Sequence, residues 1–481
     1  MLNAEKAQPN SAAAWAERAE TLRRGKNQQE ALKAAMQALK LDPTLASMWE
    51  CIGFLLLERG RWKEAQDYLK QAVSLEPQNV IMRTHYAVAL MEGGALDKAH
   101  NEIQYALRSE VSSGDAHFIM GEILCRAGYY DLATAHYSAA RQAGLGSPAI
   151  FGQGTASFLT GQYAKGLELL AAAAPAKADV DLPDWKGQKD PALHLVICGA
   201  YGFGDLIHFL RYVPEAQKRV GKITLLLPQN LIALIAANLP SVSFIPHDDA
   251  AQNVLPPDAH MRCFYMDLPH LLGPPFDPLT SSVPYINADA DQTNSWREKL
   301  AVLPRPRIGL VWAGNPLHQN DHNRSVPFEA LTPLIDLAKP HLVSLQRDTQ
   351  QPKAAASGLF DAVPLINDFA DSAACMASLD LLVTIDSAPA HLAGAMGLPV
   401  WVLLPFNPDW RWLLGREDCI WYPSMRLFRQ RQPKDWGSVV DSLCIELQKF
   451  LAGDKTILLP KAFSGDILRR HPQALSLPGV S

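Results

Sequence analysis

The sequence predicts an α-helical solenoid followed by an α/β region that consists of two domains in succession. Three observations support this fold class. Residues of the same type recur every 34 positions through the first third of the chain. Further along, short apolar segments alternate with helical ones, as they do in βαβ units. A proline-rich segment around Pro304 and Pro306 separates two such series.

The 34-residue period is carried by small and apolar residues. Three registers persist through four copies, namely Ala31, Ala65, Ala99 and Ala133; Leu22, Leu56, Leu90 and Leu124; and Ala38, Ala72, Ala106 and Ala140. Trp15 and Trp49 share a further phase, and Pro43 and Pro77 share another. A weaker fifth copy begins near Ser147. Such a period predicts stacked helix–turn–helix units, in which alanine lies where two helices touch and proline ends the second helix.

This pattern resembles the tetratricopeptide repeat family. The resemblance predicts a solenoid domain of about five repeats over residues 1–178. Solenoids of this kind present a concave surface that holds a peptide or a partner protein. A purely structural or dimerising solenoid is the alternative.

Composition excludes several classes of protein. The chain has 481 residues, of which 48% are hydrophobic and 19% charged, so a disordered or fibrous chain is excluded. Its 44 basic and 49 acidic residues give a net charge of −5, which argues against binding of nucleic acid through phosphate contacts. The start of the sequence lacks a signal-peptide pattern, and no run of about 18 apolar residues is present. We therefore expect a cytoplasmic protein without an integral membrane segment.

The seven cysteines are widely spaced and form no CxxC pair. This spacing argues against a disulfide framework and against a zinc knuckle. Reduced thiols are expected.

Residues that follow the solenoid predict the remaining domains. An alanine-, proline- and charge-rich stretch predicts a linker over 179–191. Apolar strands then predict one α/β domain over 192–303 and a second over 304–452, followed by a tail over 453–481. Ligands of such domains bind at the carboxyl ends of the parallel strands. Here those ends carry the sequences GFGD, GNP…HNRS and DSAPAH.

These polar sequences belong to segments that resemble glycosyltransferase family 9, which includes the heptosyltransferases of lipopolysaccharide synthesis. The resemblance covers about residues 193–450, and its most specific block is ASLDLLVTIDSAPAHLAGAMGLPVWVLLP, from Ala377 to Pro405. The segments PDWRWLL and WYPSMRLFRQ also match. The closer likeness is to bacterial proteins that join tetratricopeptide repeats to such a domain. The resemblance implies a GT-B fold of two facing Rossmann-like domains and a metal-independent, inverting transfer. The nucleotide sugar is then a substrate, and no cofactor is expected.

Asp205 is the candidate catalytic residue. It follows Gly202 and Gly204, which let an acceptor approach the backbone closely, and a carboxylate there can take a proton from a hydroxyl nucleophile. From the residues alone, a helix N-cap is the alternative. The resemblance matches Asp205 to the proposed base of the family. His208 is placed on the same acceptor side, at a position where relatives of this architecture usually carry glutamine.

Asp386, Ser387 and His391 are candidates for donor binding. They lie where a helix starts after a strand, and a helix N-terminus offers N–H groups and a partial positive charge to a diphosphate. An ordinary helix start is the alternative.

Arg324 is the candidate diphosphate clamp in the polar loop of the second α/β domain. A guanidinium pairs phosphate oxygens bidentately, which favours this role. The neighbouring polar side chains expected to help are Asn315, His318 and Ser325. His318, Asp321 and His322 fit no common metal-ligand set, so no metal is expected.

Two further features remain open at the level of sequence. Asp248 and Asp249 are similar to a metal-binding carboxylate pair, but a solvated loop is favoured because no matching context surrounds them. Trp410, Arg411 and Trp412 are as consistent with the packed core of a lid as with a platform for a sugar.

The leading hypothesis is an inverting glycosyltransferase whose repeats recruit a protein acceptor. A second hypothesis is a repeat scaffold with a catalytically inactive GT-B interaction domain. A sugar-nucleotide epimerase on the same fold is the third and ranks lowest, because the matched segments belong elsewhere.

Overall fold

The computed structural model describes residues 11–173, 181–199, 202–247, 255–273, 283–318, 320–347, 350–460 and 474–480. The chain divides into two compact units. Met1–Gln153 and Ala474–Ser481 form the first unit, and Gly154–Gln473 forms the second.

Helices joined by short turns make up residues 11–173. Within the described residues they are α1 (Ala12–Arg24), α2 (Gln28–Leu41), α3 (Ala46–Glu58), α4 (Trp62–Leu75), α5 (Val80–Glu92), α6 (Leu96–Ser109), α7 (Gly114–Ala127), α8 (Tyr130–Gln142), α9 (Ser147–Leu159) and α10 (Tyr163–Ala172). The first eight pack in consecutive pairs. Every pair therefore corresponds to one copy of the 34-residue period.

Small residues permit the close packing of these pairs. The periodic alanines that are fully buried are Ala31, Ala65, Ala99, Ala133, Ala38, Ala72, Ala106 and Ala140. At Gly53, an added Cβ would lie 2.4 Å from Cγ of Leu69, so α3 and α4 touch where only glycine fits. The turns are also encoded locally. Ser113 accepts a hydrogen bond from the first turn of α7, and Gly128 ends that helix in the left-handed region at φ +91°.

Parallel strands form two sheets in the second unit. They are β1 (Asp190–Cys198), β2 (Val220–Leu227), β3 (Ser243–Pro246), β4 (Met261–Phe264), β5 (Ile308–Val311), β6 (Leu342–Ser344), β7 (Phe360–Asp361), β8 (Leu381–Ile385), β9 (Val400–Leu404) and β10 (Met425–Arg429). The four-stranded sheet has the order β3-β2-β1-β4, and the six-stranded sheet has the order β10-β9-β8-β5-β6-β7. Their strand pairings are parallel.

The strand order identifies where a ligand is expected. Counted from its own first strand, the six-stranded sheet has the order 3-2-1-4-5-6, which is that of doubly wound nucleotide-binding sheets. Ligands of such sheets bind outside the carboxyl ends of the strands, at the point where the order reverses. In this sheet that point lies between β5 and β8, and in the four-stranded sheet it lies between β1 and β4.

Helices pack around and between the two sheets. They are α11 (Phe203–Phe209), α12 (Val213–Gln217), α13 (Gln229–Asn238), α14 (Leu268–Leu272), α15 (Ala290–Lys299), α16 (Asp321–Arg324), α17 (Thr332–Ala338), α18 (Gln351–Ala356), α19 (Phe369–Met376), α20 (Ala388–Ala395) and α21 (Trp436–Leu451). Helix α11, which follows the first strand of one sheet, packs on α20, which follows a strand of the other. Helices α13 and α15 both contact α19. The two sheets therefore belong to one compact unit.

The end of α9 belongs to the second unit. Phe158 is fully buried, and its ring centroid lies 4.6 Å from that of Trp410 and 5.8 Å from that of Trp421. These contacts explain why the compact units divide between Gln153 and Gly154, whereas the sequence places the linker at 179–191.

None of the helices within the described ranges is long and apolar enough to span a membrane.

Candidate functional site

Three polar segments meet at the carboxyl ends of β1, β5 and β8. The turn after β1 leads into α11, the loop after β5 contains α16, and the turn after β8 leads into α20. Gly204 shows how close the first and third segments are, because an added Cβ would lie 2.8 Å from Cδ2 of His391. Residues predicted for the acceptor side and for the donor side therefore share one site.

Asp205 lies in the first turn of α11 and is about one-third exposed, at 32%. Its Oδ1 accepts a hydrogen bond from Nη2 of Arg411 at 2.5 Å. The N-cap residue of α11 is Gly202, so the N-cap alternative for Asp205 is wrong. A charged hydrogen bond, rather than helix capping, holds this carboxylate.

Arg411 is the residue of this site whose role the sequence left open. It is buried in the short helical turn Trp410–Trp412, and its Nη1 donates to Oδ1 of Asp409 at 2.9 Å. Its guanidinium also lies over the ring of Trp410, 4.3 Å from the centroid. Burial opposes the charge on Arg411, but the carboxylates of Asp409 and Asp205 outweigh it and raise its pKa. Arg411 is therefore a permanent cation at the base of the site.

His391 and His208 are joined through one hydroxyl group. The Oη of Tyr422 lies 3.0 Å from Nδ1 of His391 and 3.2 Å from Nδ1 of His208. Both imidazoles are buried, and burial together with the guanidiniums of Arg411 and Arg211 lowers both pKa values well below the usual range. Each ring is therefore neutral at pH 7. His208 lies inside this buried network and not on the surface of the site.

Asp386 lies at the end of β8 beside His391. Its Oδ1 is 3.9 Å from Nε2 of that histidine. Burial and the neighbouring carboxylate of Asp409 raise the pKa of Asp386 to about 7, although Arg324 and Arg411 act in the opposite direction. Near neutral pH this carboxyl group is therefore only partly ionised.

Ser387 is the N-cap residue of α20, with an extended backbone at φ −161°. Its Oγ donates to the carbonyl of Ile385 at 3.3 Å and makes no hydrogen bond to the helix. The hydroxyl thus braces the turn between β8 and α20.

The loop after β5 is stabilised by hydrogen bonds from its own side chains. Nε of Arg324 donates to Oδ1 of Asp321 at 3.2 Å. Oγ of Ser325 accepts the backbone N–H of Gly314 at 2.9 Å, and Oδ1 of Asn315 accepts a backbone N–H two residues further on at 3.0 Å. Of the predicted donor-binding residues in this loop, Arg324 thus carries the charge, while Asn315 and Ser325 shape the backbone.

Gln346 fixes the start of the same loop, and sequence reasoning did not identify it. Its buried Oε1 accepts the backbone N–H groups of Trp312 at 2.9 Å and of Ala313 at 2.8 Å. A single glutamine after a short strand gives no pattern from which this contact can be predicted.

His318 lies among the charges of the site. Burial and Arg324 lower its pKa, while the carboxylates of Asp321, Asp409 and Asp205 act in the opposite direction. The loop after β5 therefore interacts electrostatically with Asp205 on the other side of the site.

Within the residues that the structure describes, no group of three or more His, Cys, Asp or Glu side chains is arranged to hold a metal ion. Asp248 and Asp249 lie outside the described residues.

The free energy of unfolding of Asp386→Asn, relative to that of the wild type, is expected to increase as the pH rises. The pKa of Asp386 is raised from 3.8 to about 7, so between these values the folded protein holds a proton that the unfolded chain releases. The free energy of unfolding of the wild type therefore falls as the pH rises through this window, and asparagine removes this contribution. Urea unfolding of both proteins at pH 5 and pH 8 measures the effect. An equal difference between the proteins at both pH values would contradict the raised pKa.

Comparisons with known proteins support the repeat part of the chain. Residues 56–117 match the family model of the tetratricopeptide repeat, which confirms the repeat predicted from the 34-residue period. The chain is also similar to Protein FlbA of Caulobacter vibrioides, with 24% identity over 459 residues, which are 90% of this chain and 72% of FlbA.

Two solved structures of repeat proteins are similar to part of the chain. YrrB, described as a TPR protein with an unusual peptide-binding site, is 22% identical, with 34% of this chain and 84% of YrrB covered and a TM-score of 0.29. TTC0263 of Thermus thermophilus is 17% identical, with 35% and 94% covered and a TM-score of 0.32. The matched family model and the two sheets together define a chain that contains tetratricopeptide repeats and an α/β region with parallel sheets.

Proposed function

We propose that this protein is an inverting, metal-independent glycosyltransferase of the GT-B type. It moves a sugar from a nucleotide-sugar donor to an acceptor, which is a protein recruited by the repeats. The observation that carries this proposal is the position of Asp205. Its partly exposed carboxylate lies in the first turn of α11, the helix that follows β1, in the same site as the turn after β8 and the loop after β5 that carries Arg324.

In this proposal the acceptor hydroxyl attacks the anomeric carbon, and its proton passes to Asp205. The bond from the anomeric carbon to the diphosphate breaks, and the nucleoside diphosphate leaves. Arg324 stabilises the charge that develops on the diphosphate. The hydrogen bond from Arg411 to Oδ1 of Asp205 orients the carboxylate, so that Oδ2 is left to receive the proton.

The donor side is proposed to bind the diphosphate at the first turn of α20. His391 is buried and neutral, and it faces Asp386. His391 is therefore assigned a supporting role beneath the diphosphate rather than a charge contact with it.

The repeats are the support for a protein acceptor. A tetratricopeptide solenoid offers an extended surface of the kind that binds proteins, and attachment to the catalytic unit raises the local concentration of the acceptor. A small lipid-linked sugar would not need such a surface.

The second candidate function is a repeat scaffold whose α/β unit no longer catalyses transfer. It is favoured by the pairing of Asp205 with Arg411 and by the burial of His391, which leave fewer groups open to a substrate.

A measurement of donor binding distinguishes the two candidate functions. We expect nucleoside diphosphates and nucleotide sugars to raise the melting temperature of the full chain more than nucleoside monophosphates do. A ligand at 100 times its Kd adds about 2.7 kcal/mol to the free energy of unfolding. Arg324→Ala should remove the shift, because it removes the clamp. Arg305→Ala is the matched control, since Arg305 is exposed and pairs with Asp380. If no nucleotide shifts the melting temperature, the scaffold function is favoured.

Recruitment is tested by a chain that begins at Gly146. We expect it to keep the thermal shift with nucleoside diphosphate, because the donor site is retained. We expect it to lose transfer of labelled sugar to its protein acceptor in a cell extract, because helices α1–α8 are removed. The donor used in this assay is the nucleotide sugar that gives the largest thermal shift.

A chain that begins at Asp181 is the control, because it also loses Phe158 and its contacts with Trp410 and Trp421. We expect it to melt at a lower temperature. Undiminished protein modification by the chain from Gly146 would contradict recruitment by the repeats.

A further inference from the structure

We propose that the surface of the solenoid covered by residues 474–480 is a peptide-binding surface. Residues 474–480 are its resident occupant, and a partner protein with a turn of the same chemistry binds by displacing them. This inference does not depend on transferase activity.

The segment is attached to the solenoid through its backbone. The N–H of Leu475 donates to the carbonyl of Ala127 at 2.8 Å. Ala127 is the last residue of α7, and the carbonyls of a final helical turn have no partner within their own helix. Any peptide that offers a backbone N–H can make the same contact, so it does not depend on the side chain at that position.

The shape of the segment is set by its own sequence. The N–H of Val480 donates to the carbonyl of Leu477 at 3.2 Å, which closes a four-residue turn. Pro478 occupies the second position and Gly479, at φ +73°, the third, which is the pattern of a type II turn. Proline fixes its own φ and glycine adopts the positive φ without strain, so the turn is largely formed before it binds.

One side chain anchors the turn. Leu477 is 3% exposed, whereas its neighbours Ser476, Pro478 and Gly479 are exposed. Gly479 faces α6, where Nε2 of Gln104 lies 3.8 Å from the position of an added Cβ. The surface between α6 and the end of α7 therefore selects an apolar residue followed by a Pro-Gly turn.

The contact is small enough to be exchanged. One buried leucine and one hydrogen bond to the solenoid give a weak complex, and covalent attachment compensates by keeping the segment at a high local concentration. A partner that presents the same turn together with additional contacts will displace it. Residues 474–480 thus prevent the binding of weak ligands. Only a ligand that also contacts other parts of the solenoid displaces them.

The test uses a fluorescently labelled synthetic peptide of residues 474–481, ALSLPGVS. We expect a chain that ends at Gln473 to bind this peptide at least about tenfold more tightly than the full chain does, because the tethered copy no longer competes. Fluorescence anisotropy measures both affinities. A peptide with Leu477→Asp is the matched control and should not bind. The full chain with Leu477→Asp should bind the unmodified peptide as the shortened chain does.

Three results would overturn the proposal. The first is equal peptide affinity of the full chain and of both altered chains. The second is no peptide binding to either altered chain while circular dichroism shows an unchanged helical content, which would make the segment a structural part of the solenoid. If the shortened chain fails to fold, the peptide affinity of the full chain with Leu477→Asp tests the proposal by itself. A dimer of the full chain that dissociates in both altered chains would assign the segment to a second copy and would also overturn the proposal.

Discussion

Asp205→Asn is expected to lower sugar transfer by about 10²–10⁴-fold, which is the usual contribution of a general base. Asparagine keeps the size of the side chain and an oxygen that can accept the hydrogen bond from Arg411. It loses the negative charge and cannot take the proton of the acceptor hydroxyl. The fold and the binding of nucleoside diphosphate should therefore be preserved while turnover falls.

The measurement is turnover at saturating donor, together with the thermal shift caused by nucleoside diphosphate. Asp409→Asn is the matched control, because Asp409 is the other carboxylate on the guanidinium of Arg411 and is equally exposed. We expect this control to reduce transfer far less than Asp205→Asn does. Turnover of Asp205→Asn near that of the wild type, in a variant that still binds nucleoside diphosphate, would remove Asp205 from the role of base.

The repeat part of the fold was predictable because its signal is periodic. Each copy places alanine at the same contact, and Ala31 and Ala65, like their later equivalents, are fully buried. The parallel strands of the α/β region were also recognisable, because buried strands such as β8 and β9 are nearly continuous apolar runs. The end of the solenoid was harder to predict. The residues that associate the end of α9 with the second unit are Phe158, Trp410 and Trp421, and they are far apart in the sequence.

The polar segments of the site were predicted together, but their partners were not. Asp205 and Arg411 are separated by 206 positions, and their contact depends on how α11 and the turn Trp410–Trp412 are placed in space. The same is true of His208 and Tyr422, which are 214 positions apart. A single sequence contains no pairing information over such separations. It shows which residue types follow each strand, and from these the three segments of the site were predicted.

Arg411→Ala is expected to lower the free energy of unfolding by about 3 kcal/mol, the lower end of the range for breaking a buried ion pair. The side chain of Arg411 is 6% exposed, whereas those of its partners Asp205 and Asp409 are each 32% exposed and can be partly solvated when Arg411 is lost. Alanine also removes the contact of the guanidinium with the ring of Trp410. Arg411→Lys keeps the positive charge, but an ammonium group cannot pair with both carboxylates as the guanidinium does. We therefore expect an intermediate loss in the free energy of unfolding.

The pH dependence of this loss identifies the part of it that involves Asp386. Arg411 acts to lower the pKa of Asp386, so its removal should raise that pKa beyond about 7. The folded protein then holds its proton to a higher pH than the wild type does, and stability falls over a wider range as the pH rises. Urea unfolding at pH 5 and pH 8 should therefore show a larger difference between Arg411→Ala and the wild type at pH 8. A loss of equal size at both pH values would show that Asp386 does not contribute to it, and would leave the ion pairs with Asp205 and Asp409 and the packing on Trp410 as its causes. Full wild-type stability would exclude all three.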